Sequence, residues 1–136
     1  MTSKLVTLAF AALVVTQTTH ACSIVGLRQD FPFTPGSPVL EASHARTITD
    51  WYISLRDSSL GIAEVRIRAY FPKGNSVAND VARTRVAAVK QLVRVLGASD
   101  PVPLTIVVEG INSIRPASYD EVHIGVQPKC GSACCG

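Results

Sequence analysis

Between residues 63 and 97 the hydrophobic repeat changes from two to between three and four, and that change limits what the chain can fold into. In AEVRIRAYF, Val65, Ile67 and Ala69 face one way while Glu64, Arg66, Arg68 and Tyr70 face the other. This is the alternation of a strand with one buried face. After the loop PKGNS, Ala78, Ala82, Val86, Val89, Val93 and Leu96 recur at threes and fours, the stripe of an amphipathic helix. Asn75, Ser76 or Asn79 can cap its start, Gly97 is placed to end it, and Pro101 and Pro103 block its continuation. LTIVV then follows as a continuous apolar run of strand length, fitting a central strand.

The flanking segments extend this strand–helix–strand unit. Pro32, Pro35, Gly36 and Pro38 forbid a helix and indicate a short edge strand leading into turns. Ala45, Ile48, Trp51, Tyr52 and Leu55 predict a helix from about Glu41 to Arg56, which Ser58, Ser59 and Gly61 end. EGINSIRPASY reads as a loop, and VHIGV as a last strand with Val122, Ile124 and Val126 on one face. The order strand, helix, strand, helix, strand, strand predicts an α+β fold. Its expected form is a small two-layer sandwich with both helices on one face of a mixed sheet.

The chain opens MTSKLVTLAFAALVVTQTTHACS. Lys4, the apolar run Leu5 to Val15 and the small residues Thr19 and Ala21 have the layout of a secretory signal cleaved before Cys22. The apolar run is too short to span a bilayer as a helix. Expected domains are therefore 1–21 as signal peptide, 22–128 as the α+β domain and 129–136 as a cysteine-rich tail. Lipidation of Cys22 is the variant reading, although five polar residues separate the apolar run from that cysteine. Of the 136 residues, 115 remain after cleavage, enough for one core. With 13 basic and 10 acidic side chains in the whole chain, Lys4 among them, the domain keeps a net charge of only +2. Composition makes no case for nucleic acid. No second long apolar run follows, so no transmembrane span is expected in the mature chain.

Four cysteines stand at the two ends: Cys22, then Cys130, Cys134 and Cys135. In an oxidising compartment an even count favours disulfides, which would tie the ends together. A soft-metal or redox tail is the alternative, but the spacing fits no specific metal motif. Neither metal nor cofactor is expected.

One residue interrupts the pattern. Wound at 100° per residue, Arg85 falls inside the apolar arc of its helix, between the directions of Val89 and Leu92. Arg83, Lys90 and Arg94 line up well away from it. A guanidinium there requires a partner or a ligand, because desolvating an unpaired charge costs several kcal/mol or more. Internal pairing points to Glu109, with Asp80 second. The alternative is a ligand site that includes Arg85 and, at the start of the same helix, Asn79.

Nothing else has the form of an active site. His44 and His123 lie in no nucleophile or metal motif and read as surface or half-buried side chains. Asp120 and Glu121 adjoin before a strand, so they point to alternate faces and do not make an acid–base pair. The chain is not expected to be an enzyme.

From Ser23 to Gln127 the order and spacing resemble the OmpA-like C-terminal domain of bacterial envelope proteins. The likeness rests on a proline-broken first strand leading into a helix with Trp51, and on AEVRIRAY where the family has its VEGHTD-bearing strand. RVAAVKQLVRVLG is similar to the family's RAxxVxxxLxxxG helix, and IVVEG followed by EVHIGV stands where the family has its last two strands. The resemblance implies a non-enzymatic binding module that grips the diaminopimelate of peptidoglycan. An aspartate after the second strand and the arginine of the helix hold that zwitterion in the family. Arg85 matches the arginine, whereas Phe71 and Pro72 stand where Thr and Asp belong. The expected partner is peptidoglycan or an envelope protein, in the periplasm or at the periplasmic face of the outer membrane. The alternative is a periplasmic protein-interaction domain, such as an inhibitor, an immunity protein or a secretion accessory, with a decayed ligand site. A thiol or metal carrier working through the tail is a third, weaker reading.

Overall fold

The computed structural model describes residues 26–112 and 115–129. The segment expected to be a signal peptide, Cys22 and the tail with Cys130, Cys134 and Cys135 lie outside the described residues. The elements run β1 (Arg28–Pro32), α1 (Ala42–Arg56), β2 (Glu64–Pro72), α2 (Ser76–Leu96), β3 (Leu104–Ile111), a short 3₁₀ helix (Pro116–Asp120) and β4 (Glu121–Gln127). The strands form one mixed sheet in the order β1-β4-β2-β3. β4 pairs antiparallel with both β1 and β2, and β2 pairs parallel with β3 through the α2 crossover. Both helices pack on one sheet face, as the alternating pattern requires.

Asn75 starts α2: its side-chain oxygen accepts from the Ala78 N–H at 2.9 Å, satisfying one of the donors left free at a helix start. Just before it, Gly74 adopts φ +85, so the chain turns within four residues and the Asn75 N–H reaches the Pro72 carbonyl. Gly97 ends the helix. The core joins Val65, Ile67 and Ala69 of β2 and Val122, Ile124 and Val126 of β4 to Ile48, Tyr52 and Leu55 of α1. Ala82, Val86, Val89 and Val93 of α2 complete it. Burial of each of the larger side chains contributes about 1.5–3 kcal/mol. Trp51 sits at the margin of the core, its indole N–H donating to the Gly26 carbonyl at 2.6 Å.

One expectation about the strands is corrected. β3 is an edge strand, not a central one, and Thr105 and Ile106 are exposed. An apolar run reports what lies above and below a strand, not whether a second strand lies beside it. Here β4 occupies the other flank of β2 and leaves β3 at the border. Among the described residues, no helix is long and apolar enough to cross a membrane.

Candidate functional site

Arg85 occupies the apolar arc of α2, as its helical phase requires, and is 2% exposed. Its guanidinium is met by the chain itself. Nε donates to the Ser37 carbonyl at 2.7 Å and Nη1 to the Tyr119 carbonyl at 3.1 Å. Nη2 donates to the Thr34 carbonyl and to Asp120 Oδ1, both at 3.0 Å. The Phe33 ring closes one side, with its centroid 5.0 Å from Arg85 Cζ, a cation–π contact strengthened by burial.

Local sequence explains why these acceptors converge. Thr34, Pro35, Gly36 and Ser37 form a turn in which the Ser37 N–H bonds the Thr34 carbonyl and Gly36 takes φ +71. Proline followed by a glycine of positive φ is the signature of a type II turn. This turn aims the carbonyls of Thr34 and Ser37 at α2. On the other side the 3₁₀ helix delivers the Tyr119 carbonyl and the Asp120 carboxylate. It is tied to the turn by the bond from the Phe33 N–H to the Asp120 carbonyl at 2.7 Å. Arg85 thus fastens three stretches of chain: α2, the β1–α1 connection and the lead-in to β4. A guanidinium suits this task because its donors lie in a fixed planar fork.

The partners expected for Arg85 are not the ones found. Glu109 stands in register with Tyr70, on the sheet face away from the helices, and cannot reach α2. Asp80 lies five residues before Arg85, about 140° round the helix, and points elsewhere. Asp120 takes the role instead. Asp120 shows no sequence-local link to Arg85, and only the closing of β4 against β1 and β2 brings it there. Asn79 is about 240° from Arg85 on the helix. Its side-chain oxygen accepts from Arg83 Nε at 3.1 Å, and no hydrogen bond joins it to the Arg85 cluster. Phe71 and Pro72 end β2 in register with Gly110 and Ile111 of β3. The Phe71 ring lies so close over Gly110 that a Cβ there would come within 2.9 Å.

His123 is more enclosed than expected, at 8% exposed, although it does lie on the sheet face away from the helices. Its Nδ1 is 2.6 Å from Asp30 Oδ1, and its ring tilts against Tyr70 with centroids 5.6 Å apart. Desolvation pushes the Asp30 carboxyl upward, but hydrogen bonds from His123 and Arg28 outweigh it and hold the group below the usual aspartate range. His44 lies in the first turn of α1, half-buried. Among the described residues no cluster of three or more His, Cys, Asp or Glu side chains is placed to hold a metal ion.

The architecture has solved counterparts. The periplasmic domain of Helicobacter pylori MotB superposes with a TM-score of 0.57 at 14% identity, covering 76% of each chain. The OmpA-like domain of FopA1 from Francisella tularensis subsp. tularensis SCHU S4 superposes with a TM-score of 0.52 at 16% identity, over 76% of this chain and 75% of that one. The fold is OmpA-like. No protein-family model and no curated protein sequence matches the chain. At such identities the likeness is one of fold.

Proposed function

We propose that the chain is an exported, non-enzymatic module that binds a component of the bacterial cell envelope, with peptidoglycan as the expected partner. The observation that carries this reading is the OmpA-like fold, shared with a MotB periplasmic domain over three-quarters of the chain. The signal-like leader, which would place the domain in the periplasm or at the periplasmic face of the outer membrane, agrees with it. In this reading Arg85 does not clamp the ligand. Its donors are taken up by three carbonyls and Asp120, and Pro72 stands where the resemblance places the family aspartate. Arg85 holds the turn and the 3₁₀ helix in place, and envelope contact runs through other surface.

Co-sedimentation with purified peptidoglycan sacculi tests this. The wild-type chain is expected to be retained, and an Arg85→Lys chain that remains folded is expected to be retained equally. Retention that disappears in folded Arg85→Lys would return the guanidinium to a ligand role. The internal engagement of Arg85 also favours a second reading, a periplasmic protein-interaction domain with a decayed ligand site. No retention of the wild-type chain, with capture of an envelope protein instead, would support it.

A further inference from the structure

The sheet face away from the helices carries a feature that the Arg85 cluster does not explain. Gly125 lies within β4, a central strand, where glycine weakens pairing and offers no side chain to pack. Such a glycine usually marks the close approach of another group, yet a Cβ built there would meet nothing within 4 Å. Its neighbours in register are Arg28 on β1 and Arg66 on β2. On the next rung of the same face His123 lies between Asp30 and Arg68. With strands about 4.8 Å apart, Arg28 and Arg66 originate roughly 10 Å from each other across a floor of bare backbone. The result is a cavity of about 160 Å³ lined by Arg28, Arg66, Arg68, His123 and Gly125.

Each of the arginines around it has a partner on the same sheet face. Arg28 contacts Asp30 at 3.2 Å and Arg66 contacts Glu64 at 3.0 Å, both arginines being more than half exposed. Arg66 meets both Glu64 oxygens and Arg28 Nη2 also lies 3.3 Å from His123 Nδ1, so an entering anion competes with Asp30 and Glu64 for these donors. Arg68 has a hydroxyl partner, donating from Nη1 to Tyr70 Oη at 3.2 Å. His123 adds an independent sign. Its Nδ1 lies 2.6 Å from Asp30 Oδ1 and 3.3 Å from Arg28 Nη2, and its Nε2 is buried without a hydrogen-bond partner among the described residues. An unfilled glycine flanked in register by two arginines, with Arg68 and His123 on the next rung, is an arrangement that can receive an anion.

We propose that this depression binds a phosphate-class oxyanion, free or carried on a lipid headgroup, with Gly125 as its floor and Arg28, Arg66 and Arg68 as its donors. Guanidinium forks match the paired oxygens of such a group. The site lies on the sheet face opposite the helices and is independent of the Arg85 reading.

Gly125→Val tests it without removing a charge. The added side chain enters open space in a strand, where valine is favoured, so folding is expected to be unaffected. In a ¹H–¹⁵N titration of the full chain with inorganic phosphate, the amides of Arg68, His123 and Gly125 are expected to shift saturably. Gly125→Val and Arg68→Gln should each bind at least tenfold more weakly at an unchanged unfolding midpoint. A parallel arm compares vesicles containing phosphatidylglycerol with vesicles of phosphatidylcholine alone. Selective binding to the former, lost in Gly125→Val, assigns the anion to a lipid headgroup; binding of free phosphate without vesicle binding assigns it to a soluble ligand. Absence of saturable shifts and of selective vesicle binding overturns the proposal, as does wild-type affinity in Gly125→Val.

Discussion

Asp30 illustrates how a single side chain ties stability to pH. Its folded-state pKa lies below the ordinary aspartate value: desolvation raises it, and the hydrogen bonds from His123 and Arg28 lower it further than that. A carboxyl with a depressed folded pKa binds fewer protons when folded than when unfolded. Its contribution is therefore fully present above the unfolded value and is lost as pH falls through the folded one. In urea unfolding measured at stepped pH, the wild type should lose more stability than Asp30→Asn as pH falls below the ordinary aspartate value of about 4. Equal slopes would show that the contact with His123 does not favour the ionised form. Arg85 shows what one residue can and cannot reveal in sequence. Helical phase alone places it on the apolar arc, and charge alone demands a partner. The choice among Glu109, Asp80 and Asp120 depends on which strand face each occupies and on where β4 closes, and neither is encoded near Arg85.

At the scale of elements, the two periodic patterns suffice for β2 and α2, because alternation and the helical stripe both report burial on one side. The helix predicted from about Glu41 to Arg56 occupies Ala42–Arg56, with Glu41 as its cap residue. Edge position is less accessible, since β3 is apolar enough to pass for a central strand. Contacts between elements are less accessible still. Gly97 looks like a helix stop, but its backbone does not use a left-handed conformation; φ is −94. A Cβ there would meet Tyr52 Oη at 2.7 Å and the Val93 carbonyl at 3.3 Å. Gly97 is required by the approach of α1 to the end of α2, where Tyr52 is 1% exposed. Gly97→Ala should destabilise the chain by about 1–3 kcal/mol, the usual cost of overpacking, as read from its urea midpoint. Combining it with Tyr52→Phe, which removes the clashing oxygen, should recover part of that loss. No recovery would mean that the backbone, not Tyr52, sets the requirement.

For the whole molecule, the OmpA-like arrangement brings the turn after β1, the middle of α2 and the start of β4 to one place, and Arg85 joins them. The family resemblance pointed to this arginine as a ligand contact; in the fold its donors meet three carbonyls and a carboxylate of the same chain. Removing it would take this buried donor from Asp120 and from three carbonyls, of which that of Thr34 keeps the Ser37 N–H, a larger penalty than any surface ion pair carries. The deciding measurement is the unfolding free energy of Arg85→Leu in urea, against the wild type. The structure predicts a loss of about 3–5 kcal/mol, or failure to fold. A change within about 0.5 kcal/mol, as for a surface substitution, would contradict the internal role of this guanidinium.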